Sequence, residues 1–289
     1  MDFWIILSPI LKAFFYAFSF GSVGSVLFSL HFGKHLTAEQ QFFCNCLAYR
    51  STLAGAVTSL LMVLSVAGDL GGDITSVINP FFLQLALESK SGVGNLVAFL
   101  GFTSMLIALR FRGYANTVGL LVSSGAILLS FTMSGHSQLG GFLTQALLFI
   151  HLFGIAFWLG ALLPFRWMCL QSDPHNLSIV AHHFGVLATW YVGLLIGVGL
   201  CYAYLLLGNI SLIFTTLYGN VLLIKIALVV ALLSFAAFNK FKLVPTLETK
   251  RAHAVRRFQR SVQFEIALAF IIFTASSLLT TSMTLPMGN

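Results

Sequence analysis

Side chains able to bind a metal or carry a charge are few in this 289-residue chain, and several fall inside or at the edges of long apolar runs. His151 lies deepest among the histidines, about nine residues or about 13 Å into a run that begins near residue 142. An imidazole at that depth in hydrocarbon needs a polar partner, and intramembrane ionisable groups point to function by default. On a helix His151 shares a face with Gly154, Ile155 and Trp158, so a small residue and an indole stand beside it and frame a pocket. Met133 and His136 fall at one mouth of the apolar region, with Met283 and Met287 at the same level. Cys201 and Met62 lie in the outer parts of their runs. Thioethers, thiolates and imidazoles suit a soft ion such as Cu(I), whereas the carboxylates that harder ions prefer are scarce in these runs. His136, His151 and Met133, with Met283, Cys201, Cys44 and Cys46 as further candidates, therefore point to copper as the bound or moving ion. The plainer account of any single methionine is that it fills a gap in an apolar core.

A second group gathers at the other end of the runs: His31 and His35, Cys44 and Cys46, then Cys169, His175 and the doublet His182-His183. His-x-x-x-His sets two rings on one helical face, and Cys-x-Cys is a usable thiolate pair. Interfacial histidines are also commonly just solvated. Lys225 falls well inside its own run, so it should face the bundle or pair with a partner. Arg50 and Glu265 sit nearer an interface, where snorkelling or a local pair accounts for them. No nucleotide-binding Gly-x-x-x-x-Gly-Lys loop and no His-Glu-x-x-His occurs, and nothing marks a serine as a nucleophile, so the chain reads as a non-enzyme without a nucleotide partner.

The elements that must hold these residues follow from composition. With 58% hydrophobic and 8% charged residues, the chain has too few charges to make an aqueous surface. Apolar runs long enough to cross a bilayer read as helices near 13–31, 43–67, 92–109, 114–133, 142–163, 184–206, 216–238 and 262–284. The expected fold is an all-α integral membrane bundle of about eight helices forming a single domain over residues 1–289. Pro80 to Leu87 is apolar but too short to span, and reads as an interfacial or re-entrant piece. The first residues carry Asp2 and no basic region, unlike a cleaved secretion signal. The four cysteines are too scattered for a disulfide framework.

Lys34, Arg110, Arg112, Arg166, Lys240, Lys242, Lys250, Arg251, Arg256, Arg257 and Arg260 fall at one end of these helices, against Lys12 and Lys90 at the other. The positive-inside rule places the first set in the cytoplasm and both termini outside, a side that is the periplasm where the membrane is a bacterial inner membrane. The net charge of +7 thus fits membrane topology rather than a nucleic-acid partner. Ser91-Gly92-Val93-Gly94-Asn95-Leu96 echoes Thr216-Leu217-Tyr218-Gly219-Asn220-Val221, which is consistent with two diverged four-helix repeats. Recurrent glycines, among them Gly24, Gly154, Gly160 and Gly199, allow close helix approach.

Several motifs resemble the bacterial copper-resistance D family (CopD and PcoD) of inner-membrane proteins. Ser134-Gly135-His136 precedes His151 and Trp158-Leu159-Gly160-Ala161-Leu162-Leu163-Pro164. Tyr218-Gly219, Leu222-Leu223 and Lys225 follow, then Asn239-Lys240-Phe241-Lys242-Leu243-Val244-Pro245. The resemblance covers roughly residues 134–245 and reaches the first four helices only by hydropathy and length. Ala161 replaces a second glycine of the family pattern, which would narrow a close helix contact. Some relatives carry a fused periplasmic copper-binding domain that is not found here, so a separate periplasmic copper-binding protein is an expected partner beside the lipid bilayer. The resemblance implies copper movement or handling at the inner membrane and carries over His136, His151 and Trp158 as site residues. The expected path takes copper at Met133 and His136, passes it by His151, and releases it near the thiols at the basic end. Two other classes fit the same residues: a b-type haem protein with His151 as one axial ligand, and a scaffold that docks a periplasmic copper carrier.

Overall fold

The computed structural model describes residues 3–134, 141–171, 173–207, 214, 216–248 and 252–281. Among these there is no strand, and eight helical segments are long and apolar enough to cross a membrane. The helices are α1 (Phe3–Phe32), α2 (Ala38–Gly71), the short α3 (Pro80–Glu88), α4 (Lys90–Ala108), α5 (Tyr114–Ser130), α6 (Gly141–Gly160), α7 (Leu162–Met168), α8 (Pro174–Leu207), α9 (Leu217–Phe238), α10 (Val244–Leu247) and α11 (Ala252–Thr281). An all-α membrane bundle is therefore the fold.

α1 and α2 both overrun the apolar stretches that mark them in the sequence, and polar caps fix the ends of α2. Thr37 accepts from the Gln40 N–H while the Gln40 side chain accepts from the Thr37 N–H, closing a capping box at the start of α2. Gly72 ends that helix in the left-handed conformation at φ 78°. Beyond it, the Asp73 carboxylate accepts from the Ser76 and Thr75 hydroxyls and the Ser76 N–H, which holds its pKa below the usual range. Pro80–Glu88 is a short helix capped by Asn79, too short to span.

Two spans are broken where proline requires it. Pro164 lacks an N–H and its ring crowds the carbonyl four residues back, at Gly160, so the fifth span divides into α6 and α7 at Ala161. Pro245 breaks the seventh span in the same way. Between α9 and α10, Asn239–Leu243 winds as a π-turn, which rotates the following side chains relative to a regular helix.

The caps of α4 and α9 qualify the echo between the two halves. Ser89 accepts from the Gly92 N–H at 3.0 Å, and Thr216 from the Gly219 N–H at 3.0 Å, so the capping device is shared. The cap of α4 is Ser89, not Ser91, which puts it two residues ahead of the register the sequence echo suggests.

α1 sits centrally, against α2, α5, α6, α8 and α11. Its closest approach is to α6, where Gly24 meets Gly160. A Cβ built on Gly160 would stand 2.2 Å from the Gly24 Cα, and one on Gly24 would stand 2.5 Å from the Ala156 carbonyl oxygen. Only glycine at both positions permits this backbone contact. Ala161 is fully buried one residue further on, outside the glycine contact, so its departure from the family pattern leaves that contact intact. Packed rings extend the core, with Phe131 stacked against Tyr16 at 5.1 Å and Phe273 tilted against Phe20 at 5.3 Å. The last span but one is the most peripheral. Only 6% of its most apolar stretch is buried, and 11% of α8's, against 39–50% for the other six, so these two helices form the lipid-facing edge. Trp190, Leu200 and Tyr204 of α8 are exposed on that outer surface.

Candidate functional site

Leu195 and Gly199 of α8 belong to a series four residues apart, His183, Leu187, Tyr191, Leu195 and Gly199, which forms one inclined ridge on a helix surface. His151 of α6 packs at the far end of this ridge from His183. Its Nδ1 lies 3.3 Å from the Leu195 carbonyl oxygen. A carbonyl only accepts, so in this bond Nδ1 carries the proton and Nε2 keeps its lone pair, the form that ligates a metal. Gly199 makes room for the ring: a Cβ there would stand 3.1 Å from His151 Cε1. Gly154, one turn along α6, admits Leu195 in the same manner, with a Cβ contact of 3.3 Å to its Cδ1. Lys225 of α9 is half-buried and lies within electrostatic reach of the His151 ring.

One turn along the ridge, the Tyr191 hydroxyl lies 3.3 Å from Nε2 of His31, whose Nδ1 donates to the Leu27 carbonyl at 2.8 Å. The tyrosine ring stacks on Phe157 at 3.9 Å, which fixes its height. Two turns further, the rings of His35 and His183 stack at 4.4 Å. His183 Nδ1 donates to the Ile179 carbonyl at 2.8 Å, again leaving Nε2 as the free lone pair. His35 is held in place through its backbone: Asn176 Nδ2 donates to the His35 carbonyl at 2.8 Å, and Gln40 Nε2 donates to Asn176 Oδ1 at 2.6 Å. From Leu195 to His183 the ridge runs about 18 Å. Imidazoles from α1, α6 and α8 thus line one seam at three levels, with a phenol at the middle one.

Several expectations resolve differently. α1 ends at Phe32, so His35 leaves the helical face of His31 and pairs instead with His183 across the bundle. Cys44 and Cys46 both lie inside α2, where a two-residue step turns the side chains about 200° apart, so they cannot act as a thiolate pair. Cys44 is buried in the core and Cys46 half-buried. Cys201 is exposed on the outer side of α8. Cys169 is buried just past α7, which pushes its thiol up to about 12 and keeps it protonated at neutral pH. Met133 packs over Gly94 at the opposite end from the basic loops. His136 and Met283 lie outside the described residues. Trp158 is buried two turns from His151, on the wall of a separate cavity. Of the two accounts of Glu265 the local one holds: it is 2% exposed and accepts from Asn239 Nδ2 rather than snorkelling.

Among the described residues no group of three or more His, Cys, Asp or Glu side chains converges to hold a metal ion. The imidazoles are spread along a seam rather than gathered into a cage. Tyr191 and the pairing of His35 with His183 were not singled out in the sequence, although the four-residue series through Tyr191 was open to inspection.

Comparison with known proteins bears on the family and not on the seam. Residues 1–144 match the family described as "Copper resistance protein D-like, N-terminal domain", and residues 179–279 match "Copper resistance protein D". The matches therefore take in the first four helices and the last three spans, while His151 and the Trp158–Pro164 motif fall between the two matched segments. The chain is 28% identical over 243 residues to the inner membrane protein YebZ of Escherichia coli (strain K12), covering 78% of this chain and 80% of that protein. No solved structure matches it. With the two segments accounting for most of an eight-helix bundle, this chain belongs to the copper-resistance D family of membrane proteins.

Proposed function

We propose that this protein moves copper ions, as Cu(I), across the bacterial inner membrane along the α8 ridge. The observation that carries the reading is the seam of imidazoles: His151, then His31 beside Tyr191, then His35 with His183. Cu(I) accepts two or three soft or imidazole ligands, and a moving ion needs several weak sites rather than one complete cage. Lys225 beside His151 serves the same end, because a neighbouring positive charge shortens the stay of a cation at that level. Met133 and His136 take the ion at the entrance, and a periplasmic copper-binding protein delivers it there. Release follows at the basic end, which the positive-inside rule assigns to the cytoplasm. A bis-histidine haem fits less well, since His183 lies about 18 Å along α8 from the residue that His151 touches.

The test is copper uptake into proteoliposomes of known orientation. Protein-dependent Cu(I) accumulation supports the reading, and vesicles that accumulate no more copper than protein-free controls overturn it. Orientation has its own check. In a chain whose native cysteines are replaced, Asn289→Cys should react with an impermeant maleimide in cells with an intact inner membrane. Labelling only after that membrane is opened would reverse the assignment.

A further inference from the structure

A cavity of about 330 Å³ lies between α6, α7, α8, the end of α9, the π-turn, α10 and α11, away from the imidazole seam. It exists because α8 packs on α10 but hardly on α9, so the two edge helices diverge and leave a cleft toward the lipid. Its volume is roughly twice that of an engineered apolar cavity that takes up benzene. Trp158, Phe165, Phe184 and Phe258 supply aromatic walls, and Ala188 and Ala237 leave flat space between them.

One end of this apolar space is polar in a specific way. The π-turn directs Asn239 into the cavity wall, where its Nδ2 donates to Glu265 Oε1. Asn239 is 7% exposed, and its Oδ1 is buried with no hydrogen-bond partner. A buried amide oxygen without a donor is costly, and it accepts only. The Glu265 carboxyl lines the same wall, with its Oε1 already taken by Asn239 Nδ2. Lys240, also on the wall, donates to Thr189 and has further N–H groups to give. The matching ligand has a flat apolar body and a hydroxyl that donates to Asn239 Oδ1 while accepting elsewhere.

We propose that this cavity binds a lipid-soluble hydroquinone, which enters through the α8–α9 cleft and places one hydroxyl at Asn239 Oδ1. The inference is independent of copper, and its test contains none. Decyl-hydroquinone and its oxidised partner decyl-benzoquinone share one body, but only the reduced form has hydroxyl donors. Binding to the full-length protein in detergent, without oxygen, is read by quenching of tryptophan fluorescence, Trp158 being on the wall, and by the shift in thermal unfolding. The expected result is saturable binding, with the reduced form at least about tenfold tighter, the scale of one hydrogen bond to a buried acceptor. Asn239→Leu should abolish that preference, and Ala188→Phe, checked for folding by its unfolding transition, should block both compounds. Equal affinity for the two forms, no saturable binding, or unchanged binding in folded Ala188→Phe would each overturn the proposal. So would a phospholipid that native mass spectrometry finds bound and that hydroquinone fails to displace.

Discussion

Copper uptake by His151→Phe protein in liposomes should fall at least about a hundredfold, the upper range for loss of a metal-site partner, while the protein still inserts and purifies. Phenylalanine keeps a ring in the space that Gly199 opens and removes both nitrogens, so packing between α6 and α8 is preserved and ligation is lost. The bond to the Leu195 carbonyl disappears as well. That carbonyl lies in a helix interior, where the α8 ladder already offers it an N–H donor, so its loss costs little stability. His35→Phe removes one of the two stacked rings at the release end and should slow uptake less, because His183 remains to accept the ion. An unchanged rate in folded His151→Phe protein would take His151 off the path and leave it a packing residue.

The largest effect on stability is expected at Gly160. A methyl group there would stand 2.2 Å from the Gly24 Cα and 2.5 Å from its carbonyl carbon, and neither can swing aside as a side chain can. Gly160→Ala should therefore destabilise by about 3 kcal/mol or more, at or beyond the top of the usual range for overpacking. Gly160→Leu should fail to give a monodisperse protein. Gly197→Ala is the matched control, since a Cβ at that position on α8 meets nothing within 4 Å. Unfolding in graded denaturant separates the cases, and equal stability of Gly160→Ala and Gly197→Ala would show that α1 and α6 can part at no cost.

Hydropathy made the eight spans legible, because nothing else in a 289-residue chain yields apolar runs of bilayer length. It did not show which side of each helix faces inward. In water the apolar stripe marks the buried face, but in lipid both faces are apolar and that signal vanishes. Cys44, buried in the core, and Cys201, exposed to lipid, therefore looked alike as ligands. Glu265 could be placed along its helix but not around it, so its burial against Asn239 stayed hidden. The seam needed a third dimension. Tyr191 carries no mark in the sequence, and its part appears only where α1 brings His31 beside it. The glycines carried a partial signal: Gly160 announced a close contact without naming Gly24 as its partner.

Backbone contact between Gly24 and Gly160 has a dynamic consequence. Two helices touching main chain to main chain have no side-chain layer over which to slide, so α1 and α6 move as one body, and α2 follows through its own extensive packing on α1. Rearrangement then falls to the segments with the fewest buried groups, which are α8 and the π-turned helix beyond it. The imidazole seam lies on the boundary between these two parts, with His31 and His151 on the fixed body and His183 and Tyr191 on the mobile one. A small slide of α8 along its axis would break and remake every level of the seam at once, so a single displacement can open one end as it closes the other.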